Sequence, residues 1–197
     1  ACTAHSALTT VGRLRPGESA AISAAAGGVG HLAVQLAREA GASPVIGLAS
    51  TPAKRKFVLS LGADHALASP AQLRTVVPGG VDLYLDSLGG PEFRDALDAL
   101  APFGRLVSVG WRGLQADTVG VDDLAMRSVG VHGVWMQRVI EDPSTFARTT
   151  EHVFAFARQG DLTAWVDRIV PLSEVRLAHE EMAARRTRGK VLIDVAQ

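Results

Sequence analysis

The sequence has 197 residues, 47% of them hydrophobic and 20% charged, with 20 basic against 20 acidic side chains and a formal net charge of +0. Such a length suits one domain, or one domain with an appended segment, and the composition excludes a disordered or collagen-like chain. Balanced charge leaves no global field for nucleic acid or an anionic membrane, no apolar run reaches the roughly 20 residues that span a bilayer, and the single cysteine, Cys2, excludes an intrachain disulfide and agrees with a reducing, cytoplasmic setting.

The opening residues read as the interior of a helix, and Ala1 is not an initiator methionine, which points to a fragment. Arg15-Pro16-Gly17-Glu18 is a turn signal, and residues 19–25 form an apolar run without alternation, as expected of a strand buried on both faces. From Val29 apolar residues recur at Leu32, Ala33, Leu36, Ala37 and Ala40, one face of a helix with Gly41 as its stop. A second run covers 45–49, and a helix that starts at Pro52 carries Phe57, Val58 and Leu61 and ends at Gly62. Strands are predicted over 65–67, 81–86, 105–109 and 129–134, with helical stretches such as 91–100 in three of the intervals. Six runs alternating with helices predict an α/β fold, a Rossmann-type doubly wound parallel sheet covered on both faces.

Further on, a helix over 144–159, a strand over 165–170, a helix over 173–185 and a strand over 190–195 are predicted. Two strands after the sixth exceed what a doubly wound sheet needs. The chain is therefore divided into a doubly wound domain, 1–160, and a segment, 161–197, whose strands are expected to lack partners here and to pair with another domain's sheet.

The most informative residues are Ala24-Ala25-Ala26-Gly27-Gly28-Val29-Gly30, between the first strand and the first strong helical pattern. Gly27 lets backbone approach a pyrophosphate, Gly30 lets the helix pack tightly, and the free amides of the helix start face the anion. Ala25 stands where the usual first glycine would be. At the end of the second strand, where NAD-binding domains place an acid for the ribose 2′-hydroxyl, the sequence offers Ser50, Thr51, Lys54 and Arg55 and no carboxylate. The expected cofactor is NADP(H); the competing reading has Ser50 and Thr51 capping the next helix and the cations solvated.

Together with Ala33-Val34-Gln35-Leu36-Ala37, Gly62-Ala63-Asp64, Asp86-Ser87-Leu88-Gly89-Gly90, Gly104-Arg105-Leu106-Val107-Ser108-Val109-Gly110 and the ending Thr187-Arg188-Gly189-Lys190-Val191, this loop resembles that of zinc-independent quinone oxidoreductases of the medium-chain dehydrogenase/reductase superfamily. The resemblance runs from about Thr3 to the last residues. It implies a GroES-like domain ahead of this sequence, to which the last strand returns, and hydride transfer from NADPH to a quinone or α,β-unsaturated carbonyl. By motif it implies Thr3 near the nicotinamide, Ala26, Gly27, Gly28, Val29 and Gly30 at the pyrophosphate, Ser50, Thr51 and Lys54 at the 2′-phosphate, and Ser87, Val109 and Gly110 along the cofactor cleft. Ser69 and Trp111 depart from the pattern, replacing a tyrosine and a small polar residue of some relatives. No catalytic acid is identified. A homodimer through the sixth strand is expected, both from that apolar edge and from the resemblance. Enoyl-reductase modules of polyketide synthases share the loop but usually carry asparagine at the position of Asp86, and a non-catalytic NADPH-binding protein on the same fold is the reading from another class.

His5, His31, His65, His132, His152 and His179 show no metal-ligand spacing, so no metal site is expected. His132 reads as an edge or interface residue, with a place beside the nicotinamide as the alternative. Trp111 and Trp135 follow apolar runs and either border a ligand or close the core. Arg185-Arg186-Thr187-Arg188 reads as a solvated helix end.

Overall fold

The structure, a computed structural model, describes residues 1–110 and 118–196. The chain opens with α1 (Cys2–His5), which widens at once into a π-helical turn over Ser6–Val11. Gly12 closes that turn, its N–H donating to the Ala7 carbonyl five residues back at 2.9 Å. A Cβ on Gly12 would lie 2.5 Å from both the Ala7 oxygen and Leu83 Cδ1, so the segment rests directly on the sheet.

The main sheet and its helices then follow as β1 (Ala20–Ile22), α2 (Gly30–Glu39), β2 (Val45–Leu48), α3 (Pro52–Ser60), β3 (His65–Leu67), α4 (Leu73–Val76), β4 (Val81–Asp86), α5 (Phe93–Asp98), β5 (Leu100–Ser108), α6 (Val121–Arg127) and β6 (Gly130–Gly133). The strand order is β3-β2-β1-β4-β5-β6, and every pairing is parallel. This is the doubly wound order with its switch point between β1 and β4. Period-2 alternation splits the buried side chains between the two faces. Ala20, Ile22, Val45, Leu83, Leu85 and Val107 pack with α2 and the opening helix, whereas Ala21, Ile46, Tyr84 and Leu106 pack with Leu73, Ala96 and Leu97 on the other side. Burying each such Val, Leu or Ile contributes about 1.5–3 kcal/mol.

Two expectations are corrected. The helix predicted over 91–100 is shorter, a 3-10 turn over Gly90–Glu92 followed by α5, and Leu100 already belongs to β5, opposite Val81. Pro102-Phe103-Gly104 forms an irregularity within that strand, Phe103 adopting φ 66° with its N–H on the Ser128 carbonyl at 2.7 Å.

After β6 come α7 (Met136–Ile140), α8 (Pro143–Arg158), β7 (Val166–Pro171), α9 (Val175–Ala183) and β8 (Lys190–Asp194). The second correction concerns these last strands, which do not lack partners. They pair with each other in a separate two-stranded sheet, parallel, from Val166 opposite Lys190 to Pro171 opposite Asp194. The intervening α9 provides the crossover that a parallel pair requires. Among the described residues no helix is long and apolar enough to cross a membrane.

Candidate functional site

A cavity of about 360 Å³ opens at the carboxyl ends of the strands. Its wall includes Ser23 and Ala24 after β1, Leu48 to Ser50 at the end of β2, Ala68 after β3 and Leu88 after β4. That is the edge where open α/β sheets bind ligands.

The glycine loop forms one side. Ala24 turns the chain with φ 45°, Gly27 N–H closes the turn on the Ala24 carbonyl at 2.8 Å, and α2 starts at Gly30. Gly30 carries the steric demand: a Cβ there would lie 2.3 Å from the Ala24 oxygen and 2.7 Å from Ala25 Cα. Gly27 is freer, its Cβ meeting only the Ala24 oxygen at 3.1 Å. The alanine at the usual first glycine fits because Gly47 of β2 makes room, a Cβ on Gly47 falling 2.9 Å from that of Ala25. The N–H groups of Ala26, Gly28 and Val29 have no acceptor among the described residues and no side chain caps the helix. These are free donors for an anion.

At the end of β2, Ser50 and Lys54 line the cavity. Thr51 is the N-cap of α3, its Oγ1 accepting from the Lys54 N–H at 3.2 Å, so the capping reading holds for Thr51. Lys54 is not simply solvated. Its Nζ donates to the Arg185 carbonyl at 2.7 Å, and burial, reinforced by Arg185 and Arg188 against the pull of Asp167, holds the ammonium below its ordinary pKa. Arg55 turns back to the carbonyls of Ala49 and Ser50.

Toward β5, Asp86 accepts from the N–H groups of Leu88 and Gly89 and shapes the turn, while Ser23 Oγ accepts from the Ser87 N–H at 2.7 Å. Ser87 Oγ is buried with no partner among the described residues. Val109 N–H bonds the Asp86 carbonyl, and a Cβ on Gly110 would lie 3.5 Å from the Ser87 oxygen, so Ser87, Val109 and Gly110 stand together beside the β4 end. Thr3 lies on α1, which packs against α2 and α8 and does not line the cavity. Free amides in the middle, hydroxyl and ammonium at one end and an unpartnered buried hydroxyl toward the other fit a phosphorylated dinucleotide.

Several residues of the site carried no recognisable signal in sequence. The Arg185–Arg188 stretch is a solvated helix end only in part: Arg185 and Arg186 are exposed just past α9 and Arg186 pairs with Glu181, but Arg185, Thr187, Gly189 and Lys190 also line the cavity, Gly189 N–H donates to the Ala26 carbonyl at 2.8 Å, and the Arg188 guanidinium lies over the rings of Phe57 and Trp165. His31, fully buried on α2, donates from Nδ1 to the Gly27 carbonyl at 2.7 Å and accepts at Nε2 from the Trp165 N–H at 3.2 Å. It is therefore the neutral Nδ1–H tautomer, and burial, with Lys190 nearby, keeps its pKa below the ordinary value. Through it the glycine loop is tied to the start of β7.

His5 and His152, far apart in sequence, pack together, their ring centroids 4.7 Å apart, with His152 Nε2 3.2 Å from Glu39. Only the packing of α1 against α8 reveals this. Among the described residues no three His, Cys, Asp or Glu side chains form a group that could hold a metal ion. His132 is exposed on the edge strand β6, Trp135 is exposed, and neither lines the cavity; Trp111 lies outside the described residues.

Residues 28–154, more than half of the chain, match the family described as zinc-binding dehydrogenase. Prostaglandin reductase-3 of Bos taurus is 31% identical over 215 residues, an alignment covering 98% of this chain and 56% of that protein. A 2-haloacrylate reductase of a Burkholderia species is 32% identical over 199 residues, covering 97% of this chain and 60% of that one. The quinone oxidoreductase of Thermus thermophilus, whose crystal structures include a complex with NADPH, has a TM-score of 0.87 at 31% identity and is matched over 98% of this chain and 63% of its own. The chain thus spans about three fifths of the length of these relatives. It belongs to the zinc-binding dehydrogenase family, as the nucleotide-binding half of a quinone oxidoreductase-like member of the medium-chain dehydrogenase/reductase superfamily.

Proposed function

We propose that the protein is an NADPH-dependent reductase of quinones or α,β-unsaturated carbonyl compounds. The observation that carries the cofactor half of this reading is the end of β2, where Ser50 and Lys54 line the cavity and no carboxylate stands to repel a 2′-phosphate. Glu92, which also lines the cavity, comes from the turn after β4. The amides of Ala26, Gly28 and Val29 would hold the pyrophosphate, Ser50, Thr51 and Lys54 the 2′-phosphate, and Ser87 Oγ a polar group of the nicotinamide half. Ser87, Val109 and Gly110 do not line the cavity itself but stand together beside the β4 end, where the nicotinamide half would extend. Gly110 presents no side chain there, and Ser87, held through its backbone by Ser23, would fix the ring's orientation. When bound, the nicotinamide supplies the hydride; the chain supplies orientation and dryness, the protein's ordinary share in cofactor chemistry. The acceptor class rests on relatives named quinone oxidoreductase and 2-haloacrylate reductase.

The test follows NADPH oxidation at 340 nm with a panel of quinones and enones, with and without the full-length protein. Turnover of about 1 per second or faster with at least one acceptor is expected. Oxidation no faster than in buffer across the panel, by a protein that binds NADPH, would favour a non-catalytic binder.

A further inference from the structure

Of the cations that line the cavity, the reading above gives a role to Lys54 and none to Lys190. Lys190 is the first residue of β8, half-buried, and its side chain lies across the glycine loop: a Cβ on Gly28 would meet Lys190 Nζ at 3.3 Å and Cδ at 3.7 Å. Its backbone is fixed on both sides, since Lys190 N–H donates to the Trp165 carbonyl and the preceding Gly189 N–H to the Ala26 carbonyl, each at 2.8 Å. The ammonium has no hydrogen-bond or ion-pair partner among the described residues, although Glu92 and Lys54 line the same cavity. A half-buried ammonium set opposite backbone donors without an acceptor is the arrangement that an anion between them would complete.

We propose that Lys190 forms the second wall of the pyrophosphate subsite, so that the dinucleotide is clamped between the glycine loop and the start of β8. This rests on the dinucleotide reading of the cavity and goes beyond it in giving the β7–β8 sheet a part in binding. Because the same residues attach that sheet to the loop through Gly189, ligand binding and docking of β8 are linked, and each strengthens the other.

Binding is measured by calorimetry on the purified protein with three ligands: NADPH, 2′-phospho-ADP-ribose, which keeps the pyrophosphate, and 2′-AMP, which lacks it. Lys190→Gln should weaken NADPH and 2′-phospho-ADP-ribose about tenfold or more, the loss expected for one charge-assisted hydrogen bond, and leave 2′-AMP unchanged. Lys190→Arg should restore most of the affinity. Should Lys190→Gln fail to fold, Lys190→Met, which keeps the stem over Gly28, serves in its place and should show the same ligand pattern. NADPH should also slow amide hydrogen exchange in β8 of the wild-type protein. Unchanged NADPH affinity in the variant, or an equal loss for 2′-AMP, overturns the proposal. Absence of NADPH binding by the wild-type protein would instead overturn the underlying dinucleotide reading, and the clamp with it.

Discussion

Gly30 and Gly27 look alike in sequence and differ in what the fold asks of them. At Gly30 a methyl group has no room, with backbone at 2.3 and 2.7 Å, and backbone cannot step aside as a flexible side chain can. Gly30→Ala should therefore destabilise the protein by about 1–3 kcal/mol, the usual cost of overpacking, or more. Gly27→Ala meets one oxygen at 3.1 Å and should cost far less in stability. Urea unfolding of both variants checks this, and equal midpoints would contradict it. Both glycines were legible as a loop before a helix, and Gly30 as the one that packing requires; how alanine serves in place of the usual first glycine was not, because it depends on Ala24 taking the left-handed turn and Gly47 yielding space to Ala25 across the sheet.

Among the elements, the central strands β1, β2 and β4 were legible because they are buried on both faces and read as nearly continuous apolar runs, whereas β3 and β6, at the edges of the sheet, are half-buried or exposed and were legible from their place between helices. Boundaries were less so where local chemistry and tertiary pairing disagree. Ala99 and Leu100 are helix formers by habit, yet Leu100 is drawn into β5 by pairing with Val81 and by its place in the second core cluster. For β7 and β8 the apolar pattern was clear but the partner was not, since only the folded chain shows that α9 returns one strand to the other. The edge of β6 carries an expectation of its own. Among the described residues it pairs with β5 alone, and its outer edge would expose unpaired backbone groups. We propose that a second copy covers it. Val131 packs on the second core cluster, so the informative substitution is at exposed His132. Light scattering at tens of micromolar should give twice the chain mass, and His132→Asp, by setting like charges across a two-fold, should shift it toward the monomer. A monomer mass for the wild-type protein would rule the pairing out.

At the scale of the whole molecule, the order β3-β2-β1-β4-β5-β6 brings the ends of four strands to one cavity, and the last residues of the chain fold back to complete its wall. The glycine loop and the Ser50–Lys54 corner were legible because their chemistry is local. Arg185, Lys190 and the His31 bridge were not, because they reach the cavity from the far end of the chain or through a buried imidazole. What unites these parts is the claim that the cavity selects NADPH, with Lys54 reading the 2′-phosphate. Its most direct test is a titration of the wild-type protein and of Lys54→Ala with NADPH and NADH, followed by nicotinamide fluorescence. The account predicts that wild type binds NADPH at least about tenfold more tightly than NADH, and that the variant loses about tenfold to a hundredfold for NADPH, the worth of one charge-assisted hydrogen bond, while NADH is unaffected. Equal affinity of the wild-type protein for the two cofactors, or an equal loss for both in the variant, would contradict it.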